Sequence, residues 1–143
     1  MAIQFTSHEV KDYLKNKRKL KLFLADLFAE EGQGLESLHY IFCGDEYLLD
    51  INRQFLQHDT YTDIITFEMS EDPAITAGEI YISIDRVLEN ADQFKVPLAR
   101  ELHRVIFHGA LHLCGFKDKS RKDIAVMRGK EDEYLQKYFD RQM

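Results

Sequence analysis

Two histidines one helical turn apart, His108 and His112, are the residues of this chain best suited to chemistry. Residues four positions apart on a helix leave the same face with their Cβ atoms about 5–6 Å apart. Two imidazoles at that spacing can share one metal ion without distorting the backbone. Gly115 can adopt the left-handed conformation that ends a helix, so the chain can double back. The return would bring Asp118 to the same ion as a third ligand.

Two imidazole nitrogens and one carboxylate, with a coordination position left open, are typical of a catalytic zinc site rather than a structural one. The sequence therefore predicts a metal site of His108, His112 and Asp118 that holds one zinc ion per chain. The same ligands would also accept nickel, iron or cobalt. A bare His-x-x-x-His pair is common on helices and often binds nothing, so the glycine and the aspartate carry the prediction. No general base is assigned.

Length and composition are those of one ordinary globular domain. Of 143 residues, 45% are hydrophobic and 31% are charged, and we expect residues 1–143 to fold as a single domain. No apolar run approaches the length of a membrane span, and the first residues lack a signal-peptide pattern. Two cysteines, Cys43 and Cys114, do not make a disulfide framework. We interpret both as small core residues and expect a cytoplasmic protein.

The formal net charge is −6, which argues weakly against nucleic acid as a partner, but the distribution of charge matters more than the sum. One basic cluster is interpreted as a solvated helix face: Lys15, Lys17, Arg18, Lys19 and Lys21. A second cluster follows the predicted metal loop: Lys117, Lys119, Arg121 and Lys122. Its position favours contact with an anionic substrate.

Both histidines belong to a predicted helix over residues 98–114. Its apolar residues recur at helical spacing and cover much of its surface, which predicts a helix buried between layers. His108 and His112 flank the main apolar stripe and should face a crevice at the rim of the core. His103 points roughly the opposite way and is predicted to be exposed. Glu101 lies two turns from His108, which we consider too far to act with it.

Four β-branched or apolar segments predict strands, at residues 3–6, 38–43, 62–67 and 78–83. Helices are predicted from His8, with Ser7 as its cap, to about Gly32, and over residues 45–55, 85–94 and 120–139. Together with the helix over 98–114, these elements predict an α+β, or α/β-like, fold whose sheet is covered mainly by about five helices.

The segment 108–118 resembles the signature of the YbeY family of ribosomal RNA maturation factors. That signature is His-Gly-x-Leu-His-Leu-x-Gly, then an aromatic residue, an acidic residue and a third histidine. The residues that match it are His108, Gly109, Leu111, His112, Leu113, Gly115 and Phe116. Residues 62–67 resemble the family's Thr-Asp-Val-Leu-Ser-Phe strand, residues 78–83 its Gly-Asp-Ile strand, and Asn52 fits the Leu-Asn pair of the preceding helix.

Two positions depart from the family pattern. The third histidine falls on Asp118, whose carboxylate oxygen is a zinc ligand at about the same bond length as an imidazole nitrogen. We therefore expect the site to persist with one more negative charge. The arginine that the family usually carries before the Thr-Asp strand falls on Leu56. Arg53 and His58 are the nearest basic residues that could replace it.

The resemblance implies a small mixed four-stranded sheet packed against helices, with the metal site in a cleft at the end of the buried helix. It implies a single-strand-specific, zinc-dependent endoribonuclease that acts in maturation of small-subunit ribosomal RNA, including its 3′ end, and in ribosome quality control. The implied partners are single-stranded ribosomal RNA and the small subunit or its associated proteins, without a membrane. The ion would lower the pKa of a water molecule or polarise a phosphate oxygen.

Two other functions fit the histidine spacing. A zinc peptidase of the His-Glu-x-x-His kind places its general base directly after the first histidine, where this chain has Gly109; a peptidase is therefore less well supported. The main alternative is a non-catalytic ribosome-assembly factor in which zinc only fixes the loop after Cys114. The sequence keeps this alternative open because it supplies neither an evident general base nor the family's arginine.

Overall fold

Strands and helices alternate along residues 2–58 and 60–140, which are the residues that this computed structural model describes. The described elements are β1 (Ala2–Ser7), α1 (Lys17–Glu30), β2 (Gly34–Cys43), α2 (Asp45–Phe55), β3 (Ile64–Glu68), β4 (Ile75–Ser83), α3 (Ile84–Phe94), α4 (Leu98–Leu113) and α5 (Arg121–Asp140). Four strands and five helices in this order confirm the predicted α+β class.

The strands form one mixed sheet in the order β1-β2-β4-β3. The pairs β1/β2 and β2/β4 are parallel, whereas β3 runs antiparallel to β4 at the edge of the sheet. The mixed sheet implied by the family resemblance is thus confirmed. Thr62 and Asp63 directly precede the edge strand β3, and both line a cleft beside the sheet. The carbonyl of Asp63 also accepts from the N–H of Ser83 in β4 at 2.9 Å.

Helix α4 is the buried centre of the fold. Ile106, Phe107, Ala110 and Leu111 have no exposed surface, and the hydroxyl of Tyr40 in β2 donates to the carbonyl of Ile106 at 2.8 Å. Helices α1, α3 and α5 all contact α4. Helix α2 instead packs with β3 over a smaller cluster formed by Cys43, Leu48, Ile51 and Ile65. The prediction that the helix with the two histidines is buried between layers is confirmed.

The first helix begins later than predicted. The helix expected from His8 starts at Lys17, and the cap assigned to Ser7 is wrong because Ser7 ends β1. The backbone N–H of His8 still donates to the carbonyl of Phe42 at 2.8 Å, which continues the extended chain. Glu9 and Asn16 both have φ near +55°, a left-handed conformation that a helix cannot contain.

His103 was predicted to be exposed, and this prediction is wrong. Its side chain is only 6% exposed, because the end of α5 covers it: the rings of Tyr138 and Phe139 lie 4.8 and 5.3 Å from the imidazole. The apolar periodicity of α4 marks the face that meets the sheet. It carries no information about a second face covered by a helix that follows later in the chain.

Neither cysteine is bonded to the other, as expected. Cys43 is buried and Cys114 is partly buried, and burial raises the pKa of each thiol to about 12. Both are therefore unreactive, neutral packing residues. Over residues 2–58 and 60–140, no helix has both the length and the apolar character needed to cross a membrane.

Candidate metal centre

The end of α4 brings Asp118 back to His108. Helix α4 stops at Leu113, and Gly115 has φ of +105°, which an L side chain rarely adopts. The N–H of Phe116 donates to the carbonyl of Leu111 at 3.1 Å, so the chain reverses tightly. As a result, Asp118 Oδ2 lies 3.3 Å from His108 Nε2. The helix stop and the return loop follow the prediction from the sequence.

The other ring nitrogen of His108 is held by Glu131 of α5. His108 Nδ1 donates to Glu131 Oε2 at 2.7 Å. Because an ionised carboxylate only accepts hydrogen bonds, Nδ1 carries a proton. In protonated His108, Nε2 also carries a proton and pairs with Asp118; in neutral His108, Nε2 has the lone pair that a metal ligand needs. Histidines that bind metal almost always have a partner of this kind on the second nitrogen. The sequence did not identify this partner.

Arg104 balances the charge of Glu131. Its Nη1 donates to Glu131 Oε1 at 2.9 Å, and its Nη2 donates to Asp132 Oδ1 at 2.6 Å. The side chain of Glu131 is 6% exposed, so an unpaired charge there would be costly. With both carboxylate oxygens of Glu131 engaged, His108 and Arg104 of α4 are held in fixed positions relative to α5.

The local field favours the protonated form of His108 in the absence of metal. Burial alone would lower the pKa of His108, but the hydrogen bond and charge of Glu131 outweigh it, with help from Asp118 and Asp63, so the pKa is raised. Burial also raises the pKa of Asp63, against the opposing charge of His108, and raises that of Glu101, against the charge of Arg104. Carboxylates with raised pKa values are suited to proton transfer.

These side chains line one cleft of about 390 Å³. Its polar lining consists of Thr62, Asp63, Asn90, Glu101, Arg104, His108, Asp118, Arg128 and Glu131. Its apolar lining consists of Ile64, Phe94, Val105, Ile124 and Met127. The cleft lies between α3, α4, α5 and the start of β3. Glu101 shares it with His108, although two turns of α4 separate them.

His112 does not reach the cleft in this conformation. Its side chain is exposed one turn beyond His108, and it is not among the residues that line the cleft. Over residues 2–58 and 60–140, no group of three His, Cys, Asp or Glu side chains is arranged closely enough to hold a metal ion. The structure therefore brings His108 and Asp118 together and leaves His112 apart from them.

The two residues considered as substitutes for the family's arginine also lie outside the cleft. Arg53 forms an ion pair with Asp50 of the same helix at 3.8 Å. His58 lines a separate depression together with Leu56 and Thr60. Two other arginines, Arg104 and Arg128, do line the cleft. Arg104 is bonded to two carboxylates, whereas Arg128 makes only a longer contact, with its Nη1 3.8 Å from Glu131 Oε1.

The donor atoms at His108 and Asp118 fit a zinc ion. Ligands bound tetrahedrally at about 2.0–2.1 Å lie about 3.3–3.4 Å apart, and the separation of His108 Nε2 and Asp118 Oδ2 is 3.3 Å. In neutral His108 the Nε2 lone pair is available to an ion, and Nδ1 is held by Glu131. This separation is compatible with two ligands of one ion, and the zinc site of His108, His112 and Asp118 stays a prediction.

Comparison with known proteins gives the family. A sequence profile described as Endoribonuclease YbeY matches residues 3–139. The chain belongs to this family. It is 46% identical over 136 residues to the Endoribonuclease YbeY of Flavobacterium psychrophilum, covering 95% of this chain and 96% of that protein. It is also 46% identical over 134 residues to that of Cytophaga hutchinsonii, covering 94% of both.

A solved structure has a similar fold. The solution structure of TM1509 from Thermotoga maritima superposes with a TM-score of 0.64 at 26% identity, covering 96% of this chain and 89% of that one. The Endoribonuclease YbeY family consists of hydrolytic endonucleases, which confirms the prediction of an RNA-cleaving enzyme. The family resemblance inferred from residues 49–118 therefore extends over almost the whole chain.

Several residues of the cleft were missed in the sequence. Glu131 lies in an acidic run, Glu131-Asp132-Glu133, which is typical of a solvated face, and only packing against α4 makes it different from its neighbours. Asn90 and Phe94 lie on a helix with no recognised motif. Their spacing of four residues is a weak signal, because many helices present such pairs to solvent.

Proposed function

We propose that this protein is a zinc-dependent endoribonuclease that cleaves single-stranded RNA in the maturation of small-subunit ribosomal RNA, including its 3′ end. The observation that supports it best is His108, with Nδ1 bound to a buried carboxylate and Nε2 3.3 Å from Asp118. The reaction, cleavage within RNA, is inferred from the names of the relatives. The zinc ion, the ribosomal substrate and the role in ribosome biogenesis and quality control are inferred from the motif resemblance.

His108, His112 and Asp118 are the proposed zinc ligands. His108 and Asp118 are already adjacent. The Cβ atom of His112 lies one helical turn from that of His108, so rotation about its side-chain bonds is enough to bring its imidazole to a shared ion. Two nitrogens and one oxygen leave a position open for substrate or water.

The other residues of the cleft have proposed roles in orienting His108, in proton transfer and in binding phosphate. A bound zinc ion would supply Lewis-acid chemistry to a phosphate oxygen and activate water. Glu131 keeps the proton of His108 on Nδ1. Asp63 and Glu101, whose pKa values are raised by burial, offer proton acceptors in the cleft. Arg128, which lines the cleft, carries the positive charge that holds a backbone phosphate.

The proposed setting is the cytoplasm, with the ribosomal small subunit or its associated proteins as partners. Two cysteines that form no disulfide, one buried and one partly buried, fit a reducing compartment. The exposed basic cluster around Asp118 would contact RNA that extends from the cleft; it consists of Lys117, Lys119, Arg121 and Lys122.

The experiment that tests this proposal measures zinc content and RNA cleavage on the same preparations. Tag-free wild type, Asp118→Ala and a control, Asp123→Ala, are analysed for metal and assayed on a single-stranded RNA oligonucleotide. We expect about one zinc per chain in the wild type and the control, and little in Asp118→Ala. Cleavage should disappear with chelator and return with added zinc.

The other outcomes decide between the alternatives. Full zinc retention in Asp118→Ala would remove Asp118 from the ligand set. Stoichiometric zinc with no cleavage, together with unfolding on chelation, would favour the non-catalytic assembly factor. Chelator-sensitive cleavage of casein would favour a peptidase. Cleavage of RNA by protein stripped of metal would contradict the role of zinc.

A further inference from the structure

Two exposed apolar side chains lie at the cleft that contains His108 and Asp118. Phe94, at the end of α3, is 58% exposed, and Ile124, in the first turn of α5, is 51% exposed. Both line the cleft. Single exposed apolar residues are common on protein surfaces. Here, however, two of them from different helices border the same polar site, so the cleft has an apolar part beside its chemical groups.

The backbone at Phe94 is held firmly while its ring is left unstacked. Lys95, with φ of +57°, ends α3, and the N–H of Val96 donates to the carbonyl of Ala91 at 3.0 Å. Helix α4 begins at Leu98, so Phe94 sits on a short, fixed corner between two helices. No described aromatic ring or cation stacks on the Phe94 ring. The ring is therefore a platform with one face or edge available.

Phe55 provides an instructive contrast. It is 66% exposed, slightly more than Phe94, but its ring already packs edge-on against Phe67 at 5.9 Å. It lines a different depression, on the α2 side of the sheet. Exposure alone therefore does not distinguish Phe94; its position in the cleft and its free ring do.

Asn90 and Phe94 form a pair on α3. They are four residues apart, so their side chains leave the same face of the helix, and both line the cleft. The amide of Asn90 can both donate and accept hydrogen bonds, as the edge of a nucleobase requires. Arg128 of α5 lines the same cleft with a side chain that is 60% exposed. An aromatic face, an amide and a guanidinium are thus available together.

We propose that Phe94 and Asn90 form a base-binding subsite for one nucleotide of single-stranded RNA. This inference rests on the proposed function. The base stacks on Phe94, Asn90 hydrogen-bonds to its edge, and Arg128 holds a backbone phosphate, so that a neighbouring phosphodiester lies at His108 and Asp118. A base within a duplex is already stacked on both faces, so only an unpaired base can occupy the subsite. The subsite thus favours single strands through shape.

The absence of tryptophan from this chain permits a direct binding test. Phe94→Trp introduces a unique indole at the proposed subsite, and Phe55→Trp introduces one at the matched exposed position outside the cleft. Each variant is titrated with a cleavage-resistant 2′-O-methyl hexaribonucleotide, single-stranded or annealed to its complement. We expect saturable quenching of fluorescence only for Phe94→Trp with the single strand. Equal quenching of both variants, or none in either, would overturn the subsite.

Kinetics provide the second test. Stacking on an aromatic side chain strengthens binding by about 5- to 150-fold per base. Phe94→Ala should raise KM for a single-stranded substrate within that range, with kcat and zinc content little changed, and Phe94→Tyr should restore KM. Phe55→Ala should match the wild type. An unchanged KM in Phe94→Ala would reject the subsite.

The two proposals fail separately. If the wild type cleaves RNA but the Phe94 variants behave like the Phe55 variants, the subsite is wrong and the endoribonuclease proposal stands. If Phe94→Trp is quenched by the single strand but the wild type never cleaves RNA, the subsite stands and the endoribonuclease proposal fails.

Asn90→Ala separates stacking from recognition of the base edge. Binding of the variant to purine and pyrimidine oligonucleotides is compared with that of the wild type: loss of base preference supports the role of Asn90, and an unchanged preference contradicts it.

Discussion

His108 depends on side chains from two later parts of the chain. Asp118 reaches its Nε2 from the return loop, and Glu131 holds its Nδ1 from the next helix. Arg104, one turn before His108, shares the carboxylate of Glu131. Glu131 therefore fixes the orientation of the proposed ligand through its hydrogen bond to Nδ1.

We expect Glu131→Gln to weaken zinc binding by about 10- to 100-fold, the range typical of partners that orient a metal-binding histidine. The amide preserves size but removes the charge that holds His108 Nδ1 and balances Arg104. Affinity is measured by competition with a chromophoric chelator. Glu133→Gln, on the same helix but paired with Lys137 at the surface, serves as the control. Equal affinities in the two variants would argue against an orienting role for Glu131.

His103 shows a different consequence of burial at the level of one residue. Its Nδ1 contacts the carbonyl of Ala99 at 2.6 Å, and its Nε2 is buried without a hydrogen-bond partner. Burial lowers the pKa of this imidazole, and the charge of Lys19 lowers it further, against the opposing effect of the Ala99 carbonyl. The folded protein therefore binds this proton less readily than the unfolded chain.

The stability that depends on neutral His103 is present above the unfolded pKa of about 6.5 and is lost as the pH falls from there towards the lower folded pKa. We expect His103→Phe to reduce the slope of the unfolding free energy between pH 6.5 and 5, by at most about 1.4 kcal/mol per pH unit. Urea denaturation at several pH values measures it. The difference between the variant and the wild type should be constant above pH 7. Identical slopes at low pH would refute the assignment.

At the level of elements, the approach of α4 to the sheet depends on Gly109. A Cβ atom at this position would lie 3.0 Å from side-chain atoms of Ile64 and Ile80, closer than ordinary van der Waals contact. The same packing explains why the general base of a zinc peptidase has no place after His108. Any side chain at position 109 would point at the sheet rather than into the cleft.

We expect Gly109→Ala to destabilise the protein by about 1–2 kcal/mol, because the overpacking exceeds the gain in helix propensity. Gly129→Ala on α5 is the matched control: a Cβ there has no atom within 4 Å, so the same substitution should stabilise by about 0.5–1 kcal/mol. Denaturant unfolding compares the two. If Gly109→Ala gained as much stability as Gly129→Ala, the close packing of α4 would not limit this position.

For the whole molecule, the net charge of −6 means that RNA must be held by local positive charge. In the first basic cluster, Lys17 is paired with Asp12, and Lys19 donates to the carbonyl of Tyr138. The second cluster is exposed next to the loop that carries Asp118. Together with Arg128, which lines the cleft, it is the basic surface that we expect to hold RNA.

The salt dependence of RNA binding tests whether RNA contacts Arg128 and the second basic cluster rather than the first cluster. For single strands, each neutralised phosphate contributes about 0.7 to the slope of log affinity against log salt. We expect Arg128→Gln to reduce the slope by about that amount and Lys21→Gln, on α1, to leave it unchanged. Fluorescence anisotropy of a labelled 2′-O-methyl oligonucleotide at four salt concentrations measures both. A reduced slope in Lys21→Gln, with none in Arg128→Gln, would place the RNA on the opposite surface.

Features that depend on neighbours along the chain could be predicted from the sequence. The period of the apolar residues predicted the buried helix, β-branched runs predicted the strands, and Gly115 predicted the reversal that brings Asp118 to His108. These features arise from local sterics and from the burial of one face, which nearby residues specify. The short signature at residues 108–118 was enough to indicate the family.

Only the tertiary structure decided which distant residues meet. Glu131 looked like part of a solvated acidic run and His103 like a surface residue, yet the packing of α5 on α4 buries both. The same packing, with α3, creates the cleft that both Phe94 and His108 line. The reason is physical: contacts between helices depend on their relative orientation, which the whole core sets and which no local sequence pattern records.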